Sequence, residues 1–176
     1  MKPAARSFRL RRGQPGDAPR LHEIHTSATR TLCAPYYETS VIDGWLQGRN
    51  PAIYVPLLER GALFVAESDA GVLGFGEAAP GSVVAVYVDP LATGRGIGTA
   101  ILSYAIEVAR RDHEGPIRVE ATLNARSFYE RRGFKETHRT FVRRNHVEIA
   151  VVGMELPEPQ LSVVHDPDEA LLRPVV

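Results

Sequence analysis

Apolar and polar positions repeat with two different periods along this chain. The short period of a β-strand, or an unbroken apolar run, occurs at 7–11, 62–67, 72–79, 83–88, 117–123, 134–143 and 147–156. Turn sequences rich in glycine and proline separate several of these segments, as at Pro80-Gly81. The segment 83–88, Val-Val-Ala-Val-Tyr-Val, is almost wholly apolar, which is typical of a strand in the middle of a sheet.

Helical spacing appears between these segments. One apolar face of a first helix is formed by Leu21, Ile24, Ala28 and Leu32. We expect Asp17 to cap that helix, and Thr39 or Ser40 to cap a short second helix at 41–46. A longer helix is predicted at 98–111, and another short one at 125–132.

The order of these elements predicts the fold class. Strands at both ends of the chain surround one strand–helix–strand unit, whose two strands at 83–88 and 117–123 should be parallel neighbours. We therefore expect an α/β domain of the α+β kind, with a single mixed, mostly antiparallel sheet of about seven strands and helices on both faces. The domain should span 1–156. Residues 157–176, rich in proline and acidic residues, should form a tail or an arm that lies on a partner.

Composition narrows the choice of function. The chain has 176 residues, enough for one domain, and its formal net charge is zero. A balanced charge gives no long-range attraction to nucleic acid or to an anionic membrane surface, so we expect neither as a partner. No apolar run approaches the roughly 20 residues of a membrane helix. A single cysteine, Cys33, allows no internal disulfide. These features favour the cytoplasm; a homodimer stays open.

A glycine-rich turn joins the strand at 83–88 to the helix at 98–111. Glycines at 94, 96 and 98 lack Cβ atoms, so backbone N–H groups can approach an anion, and the helix N-terminus and Arg95 add positive charge. A diphosphate suits such a turn. Three interpretations compete: a tight turn with no ligand, a dinucleotide site, and a coenzyme A site. The dinucleotide pattern Gly-x-Gly-x-x-Gly fits poorly, because the third glycine comes one residue early.

Two segments resemble the GCN5-related N-acetyltransferases. The family motif Arg/Gln-x-x-Gly-x-Gly/Ala falls on residues 93–98, Thr-Gly-Arg-Gly-Ile-Gly, directly after Val-Tyr-Val-Asp-Pro at 86–90. Thr93 stands where the family usually has arginine or glutamine. The second segment, 124–134, resembles the closing motif of the family, with Ala125, Phe128, Tyr129, Gly133 and Phe134 in place. The asparagine that the family often has three residues before the alanine is Thr122 here, and Asn124 follows it.

This resemblance implies an N-acetyltransferase that uses acetyl-CoA as cosubstrate and needs no metal. Carried over by position, the implied cofactor-binding residues are Val86, Tyr87, Val88, Thr93, Gly94, Arg95, Gly96, Ile97, Gly98, Thr99, Asn124 and Phe128. The implied reaction is direct transfer of an acetyl group to a primary amine, which we expect to belong to a small molecule. A protein amine, or a non-catalytic acyl-CoA-binding module, are the alternatives.

The catalytic candidates are Tyr129 and Glu77. The resemblance implies that Tyr129 donates a proton to the departing thiolate; its alternative role is packing against coenzyme A. An alkylamine is protonated at neutral pH, so a proton acceptor is needed. Glu77, on the strand before the central one, is the candidate; otherwise it is a solvated carboxylate at a strand end. Glu120 is expected to be structural in the sheet.

Several other residues could take part in binding or catalysis, but each also has a simpler structural role. The aromatic residues Tyr36, Tyr37 and Trp45 fall in the region that shapes the acceptor pocket in the family, and they could instead close the core. His22 and His25 are three residues apart, which is not the metalloprotease spacing, so no metal is expected there. Cys33 is expected to be a small buried residue and not a nucleophile.

Overall fold

The predicted strand segments all form strands in the computed structural model, which describes residues 8–158. They make one seven-stranded sheet with the order β1-β2-β3-β4-β5-β7-β6. The strands are β1 Arg9–Arg12, β2 Leu63–Ser68, β3 Gly71–Ala79, β4 Ser82–Val88, β5 Ile117–Thr122, β6 Lys135–Arg144 and β7 Val147–Leu156. Only β4 and β5 pair in parallel within this sheet, and the other neighbours are antiparallel. The predicted mixed sheet is confirmed.

Five α-helices occur in the part of the chain that the structure describes. They are α1 Ala18–Leu32, α2 Thr39–Leu46, α3 Val55–Glu59, α4 Ile97–Arg110 and α5 Arg126–Glu130. The predicted cap of α2 is wrong, because Thr39 is already helical and Glu38 holds the N-cap position. The predicted tail lies outside the described residues from 159 onwards, so the boundary at 156 stays a prediction.

Asp17 stands at the N-cap of α1, but its side chain does not cap the helix. Its carboxylate instead accepts two hydrogen bonds from Arg11, of 2.8 and 2.9 Å, and a third from the N–H of Gln14. The guanidinium and its bidentate geometry hold the pKa of Asp17 below its usual value. Asp17 therefore does not cap the helix as expected. It forms an ion pair with Arg11 that joins β1 to the start of α1.

Helices cover both faces of the sheet, as the alternation along β2 shows. Leu63 and Val65 pack with residues of α1 on one face. Phe64 and Ala66 pack on the other face with α4, where Ile101 is fully buried. Because side chains of a strand alternate between faces, this split requires a helical layer on each side.

The sheet opens between its two parallel strands. β4 and β5 pair at one position only, Ser82 with Arg118. A β-bulge follows at once in β4, because Ala78 and Glu77 of β3 lie opposite Val83 and Ala85, which leaves Val84 as the extra residue. Beyond the bulge, β4 stays paired with β3 while β5 pairs with β7 along its whole length. Bulges bend a strand and end pairing, and this one precedes a gap between the ends of β4 and β5.

Candidate active site

The glycine turn lies at the C-terminal end of β4 and leads into α4. Gly94 and Gly96 have φ angles of 75° and 79°, a left-handed conformation that side chains rarely adopt. No heavy atom lies within 4 Å of the position where a Cβ of either residue would stand. The first helical hydrogen bond of α4 runs from Ala100 N–H to the Gly96 carbonyl, so the three N–H groups before it lie ahead of the helical ladder. This turn is shaped as an anion cradle.

The start of the turn is held by two local hydrogen bonds. The Asp89 carboxylate accepts from the N–H of Leu91 at 2.9 Å, and the Thr93 hydroxyl donates to the Pro90 carbonyl at 2.9 Å. Thr93 therefore uses its hydroxyl to stiffen the turn. It cannot make the contact of a longer arginine or glutamine at the same position.

A cavity of about 660 Å³ runs beside this turn. Its walls come from the turn, from β4, from α5 and from the segment before α5, and they include every predicted cofactor-binding residue except Tyr87 and Arg95. Tyr87 lines a second cavity instead. Arg131 and Arg132 also line the larger cavity, and Arg132 donates a hydrogen bond to the hydroxyl of Thr99. The fold thus brings the two motif segments to one site.

The second cavity is smaller, about 110 Å³, and lies on the side of α1 and α2. It is lined by residues of β4 and β5 and by Ala28, Thr29, Cys33, Trp45 and Tyr129, among others. The two cavities share the wall residues Leu32, Val86, Val88, Asn124 and Ala125. They therefore meet at the gap between β4 and β5.

Tyr129 borders the smaller cavity from α5. Its ring is 5% exposed and packs edge-on against Phe128 and Phe134, with ring centroids 5.2 and 5.4 Å away. Within residues 8–158 no group forms a hydrogen bond with its hydroxyl. Burial raises the pKa of Tyr129 above its ordinary value, so the hydroxyl stays protonated at neutral pH. Tyr129 is therefore a protonated residue on the wall of the smaller cavity.

The two glutamates differ in their position relative to the cavities. Glu77 lines neither of the two cavities; its carboxylate lies 3.6 Å from Arg60, and burial raises its pKa although Arg60 acts in the opposite direction. Glu120 lines the smaller cavity. Alternation along β5 turns Glu120 to the face opposite Val119 and Ala121, but it does not single out Glu120, because all three residues line the cavity.

The three aromatic residues have three different roles. Trp45 is 4% exposed and lines the smaller cavity, so it belongs both to the core and to the site. Tyr37 is structural: its hydroxyl donates to the Ala150 carbonyl at 2.7 Å and accepts from the Leu123 N–H at 2.8 Å. Tyr36 is 53% exposed and borders the larger cavity.

Cys33 is buried, as expected. Its thiol donates to the side-chain oxygen of Asn124 at 3.3 Å, and burial raises its pKa to about 11. A neutral thiol is a weak nucleophile, and here it orients Asn124. Nowhere in residues 8–158 do three His, Cys, Asp or Glu side chains gather as metal ligands. That stretch also contains no helix long and apolar enough to cross a membrane.

Comparison with known proteins agrees with this geometry. Residues 59–136 match the family model described as the acetyltransferase (GNAT) domain. Over 129 residues the chain is 28% identical to the uncharacterized N-acetyltransferase YafP of Escherichia coli K12, covering 73% of this chain and 82% of that one. The similarity to the GCN5-related N-acetyltransferases that the two motifs predicted is therefore confirmed over residues 59–136.

Solved structures of this family share the fold. A GCN5-related N-acetyltransferase from Rhodopseudomonas palustris superposes with a TM-score of 0.80 at 22% identity, covering 89% of this chain and 99% of that one. PaiA N-acetyltransferase from Thermoplasma acidophilum, in complex with coenzyme A, gives a TM-score of 0.70 at 19% identity, with coverages of 86% and 99%. YncA from Salmonella typhimurium, with acetyl-CoA, gives 0.65 at 19% identity, with coverages of 87% and 95%.

Proposed function

We propose that this protein transfers an acetyl group from acetyl-CoA to a primary amine on a small molecule, by direct attack and without an acetylated enzyme. The observation that carries the proposal is that two cavities share wall residues at the β4–β5 gap, one lined by the glycine turn and the other by Tyr129. Two structures of the same fold are described with coenzyme A or acetyl-CoA, which supports this choice of donor.

The diphosphate of the donor fits the turn before α4. Backbone N–H groups from Gly94 to Thr99 supply the hydrogen bonds, and the helix N-terminus adds its partial positive charge. Arg95 supplies a full charge at the tip of the turn. Arg131 and Arg132, the cations on the wall of the larger cavity, are the candidates for the remaining phosphate.

The pantetheine arm fits along β4. Between Val86 and Val88 this strand is paired with β3 on one edge but not with β5 on the other, so its free edge can bond an extended amide chain. Asn124 and Phe128 border the same path. The Cys33 thiol holds the side-chain oxygen of Asn124, which leaves the amide NH₂ to donate.

The chemistry follows from groups at the meeting point. The backbone N–H near Val88 polarises the thioester carbonyl and stabilises the negative charge that develops on its oxygen. Tyr129 donates its proton to the departing thiolate, since its raised pKa keeps the hydroxyl protonated until then. Cys33 cannot carry the acetyl group as a neutral buried thiol, which favours direct transfer.

The acceptor enters from the smaller cavity, between α1, α2 and the strands. Its limited volume, about 110 Å³, favours a small amine over a folded protein surface. Glu77 remains the proposed proton acceptor. Because it lies beside Arg60 and off both cavities, it would receive the amine proton through water.

Thiol release from acetyl-CoA, measured with a panel of primary amines and without amine, tests the proposal. We expect amine-dependent release and an acetylated amine of matching mass. Tight binding of coenzyme A by calorimetry without amine-dependent release would instead identify a non-catalytic acyl-CoA-binding module. Failure to bind coenzyme A at all would overturn the proposed donor.

A further inference from the structure

Two polar side chains on the inner face of α1 are buried without a partner. Thr29 is fully buried and His25 is 5% exposed, and they are one helical turn apart on the same face. The hydroxyl oxygen of Thr29 and Nε2 of His25 have no hydrogen bond within the described residues. Such atoms destabilise a folded protein, and Thr29 lines the smaller cavity, so its hydroxyl points to a ligand there. His25 does not line that cavity itself but stacks on Tyr87, which does.

The hydrogen-bonding character of His25 follows from its other ring nitrogen. Nδ1 lies 2.9 Å from the Tyr54 hydroxyl and 3.3 Å from a guanidinium nitrogen of Arg49. A guanidinium can only donate, so Nδ1 must be the acceptor and the ring hydrogen must be on Nε2. Burial and the charge of Arg49 lower the pKa of His25 to about 3, which keeps the ring neutral. The unpartnered atom is therefore an N–H donor.

Thr29 adds a second group at the same end. A helical threonine commonly bonds the carbonyl four residues earlier, but this hydroxyl does not, so it is free to donate. Thr29 lines the smaller cavity. The rings of Tyr87 and Trp45 line it too, and they flank His25, one stacked at 4.2 Å and one edge-on at 6.2 Å.

The charges around this end are positive. Arg49 and Arg144 both act to lower the pKa of His25 and that of the cavity-lining Tyr87, and the guanidinium of Arg49 lies 3.3 Å from His25 Nδ1. The carboxylate on the cavity wall, Glu120, comes from β5 and not from α1. Donors set in a positive field suit an electron-rich oxygen and not an ammonium group.

We infer that Thr29 and His25 form a subsite for a carbonyl or carboxylate oxygen of the acceptor, whose amine points to the β4–β5 gap. The substrate class is then a small amine that carries such an oxygen near its amino group, as amino acids and their amides do, in contrast to plain alkylamines. This inference rests on the proposed function. The cavity of about 110 Å³ accommodates a group of a few non-hydrogen atoms, since a water molecule takes about 30 Å³.

Three probes of nearly equal size test the subsite: glycine, glycinamide and isobutylamine, which lacks the oxygen. In the wild type, kcat/KM for glycine or glycinamide should exceed that for isobutylamine by about 10–100-fold. Thr29→Val, which replaces the hydroxyl by a methyl group, should lower this ratio by about tenfold. Thr29→Ser should keep it. Thr26→Val makes the same chemical change on α1 outside the cavity walls and should leave the ratio as in the wild type.

Thermal melts give a second readout that does not depend on turnover. Thr29→Val should raise Tm of the free protein by about 2–4 °C, because it removes a buried unpartnered hydroxyl. Glycine or glycinamide should raise Tm of the wild type and of Thr29→Ser, and not that of Thr29→Val.

A lowered Tm in Thr29→Val, or no effect of either oxygen-bearing probe on the wild type, would overturn the subsite. Equal use of isobutylamine and glycinamide would overturn it too, while the proposed acetyl transfer stands. Loss of acetyl-CoA binding would overturn the proposed function, and the melts with glycinamide would still decide the subsite.

Discussion

Tyr129→Phe separates proton donation from packing more cleanly than any other change in the site. The substitution removes one oxygen and keeps the ring, whose contacts with Phe128 and Phe134 hold it in the core. Because the hydroxyl has no protein partner, its loss should change the free energy of unfolding by less than about 1 kcal/mol. Tyr129→Ala, by contrast, removes a buried aromatic ring and should cost about 3–5 kcal/mol.

The expected effect of Tyr129→Phe is on the chemical step. Without the acid, the thiolate must leave unprotonated or take its proton from water, and the step should slow by about 10–10³-fold, equivalent to about 1.4–4 kcal/mol of activation free energy. The affinity for coenzyme A should survive, because it depends on backbone groups and on other side chains.

Single-turnover acetyl transfer at saturating acetyl-CoA measures this step without interference from product release. Calorimetry with coenzyme A and a thermal melt of the same variant are the controls for binding and folding. A wild-type single-turnover rate in Tyr129→Phe would show that Tyr129 only packs, and that solvent supplies the proton.

Two further predictions concern the turn and α1. Gly96→Val should weaken coenzyme A binding at least tenfold in a folded protein, because φ is 79° and a side chain there would also face the anion. Gly98→Ala is the control and should bind coenzyme A normally, since its Cβ would meet Phe128 and Val88 at an ordinary 3.5 Å. Calorimetry compares the two, and equal affinities would contradict the cradle. His25, with a folded pKa of about 3, takes up its proton only in the unfolded state as pH falls below 6.5, so stability should fall by about 2 kcal/mol from pH 7 to pH 5. In urea unfolding, His25→Gln should not show this loss of stability, whereas His138→Gln, at an exposed position, should show it as the wild type does. The same pH dependence in His25→Gln as in the wild type would refute the lowered pKa of His25.

The fold and the glycine turn were predictable because the sequence patterns that indicate them are short and local. Strand and helix periods need only a few residues each, and the glycine turn joins two such segments directly. Even so, local reasoning failed at the caps. Asp17 was expected to cap α1, but Arg11, which β1 brings next to it, offers two charge-assisted hydrogen bonds. A tertiary ion pair outweighed the local preference.

The acceptor side depends on contacts between segments that lie far apart in the chain. Nothing near Glu77 in the sequence reveals that Arg60 lies beside it, or that the bulge at Val84 shifts the register of β4. The orientation of Glu120 could have been read from the alternation of β5. The lack of a hydrogen-bond partner for the Thr29 hydroxyl could not be predicted from the sequence, because it depends on every group that packs around that hydroxyl.

One helix connects the two sides of the site. Near its start, α1 carries Arg20, which donates to the Val72 carbonyl at 3.1 Å and also to the Asp89 carboxylate that shapes the glycine turn. Near its end, the same helix carries Thr29 and Leu32 on the cavity walls. The helix that lines both cavities is therefore fastened to the glycine turn through Asp89.

The family match covers only part of the candidate site. The matched domain, residues 59–136, contains the glycine turn, the strands β4 and β5, and Tyr129. Both α1 and α2 precede residue 59, and they supply the wall of the smaller cavity opposite the strands. We therefore expect acceptor choice to depend in part on residues before 59, among them Thr29 and Trp45.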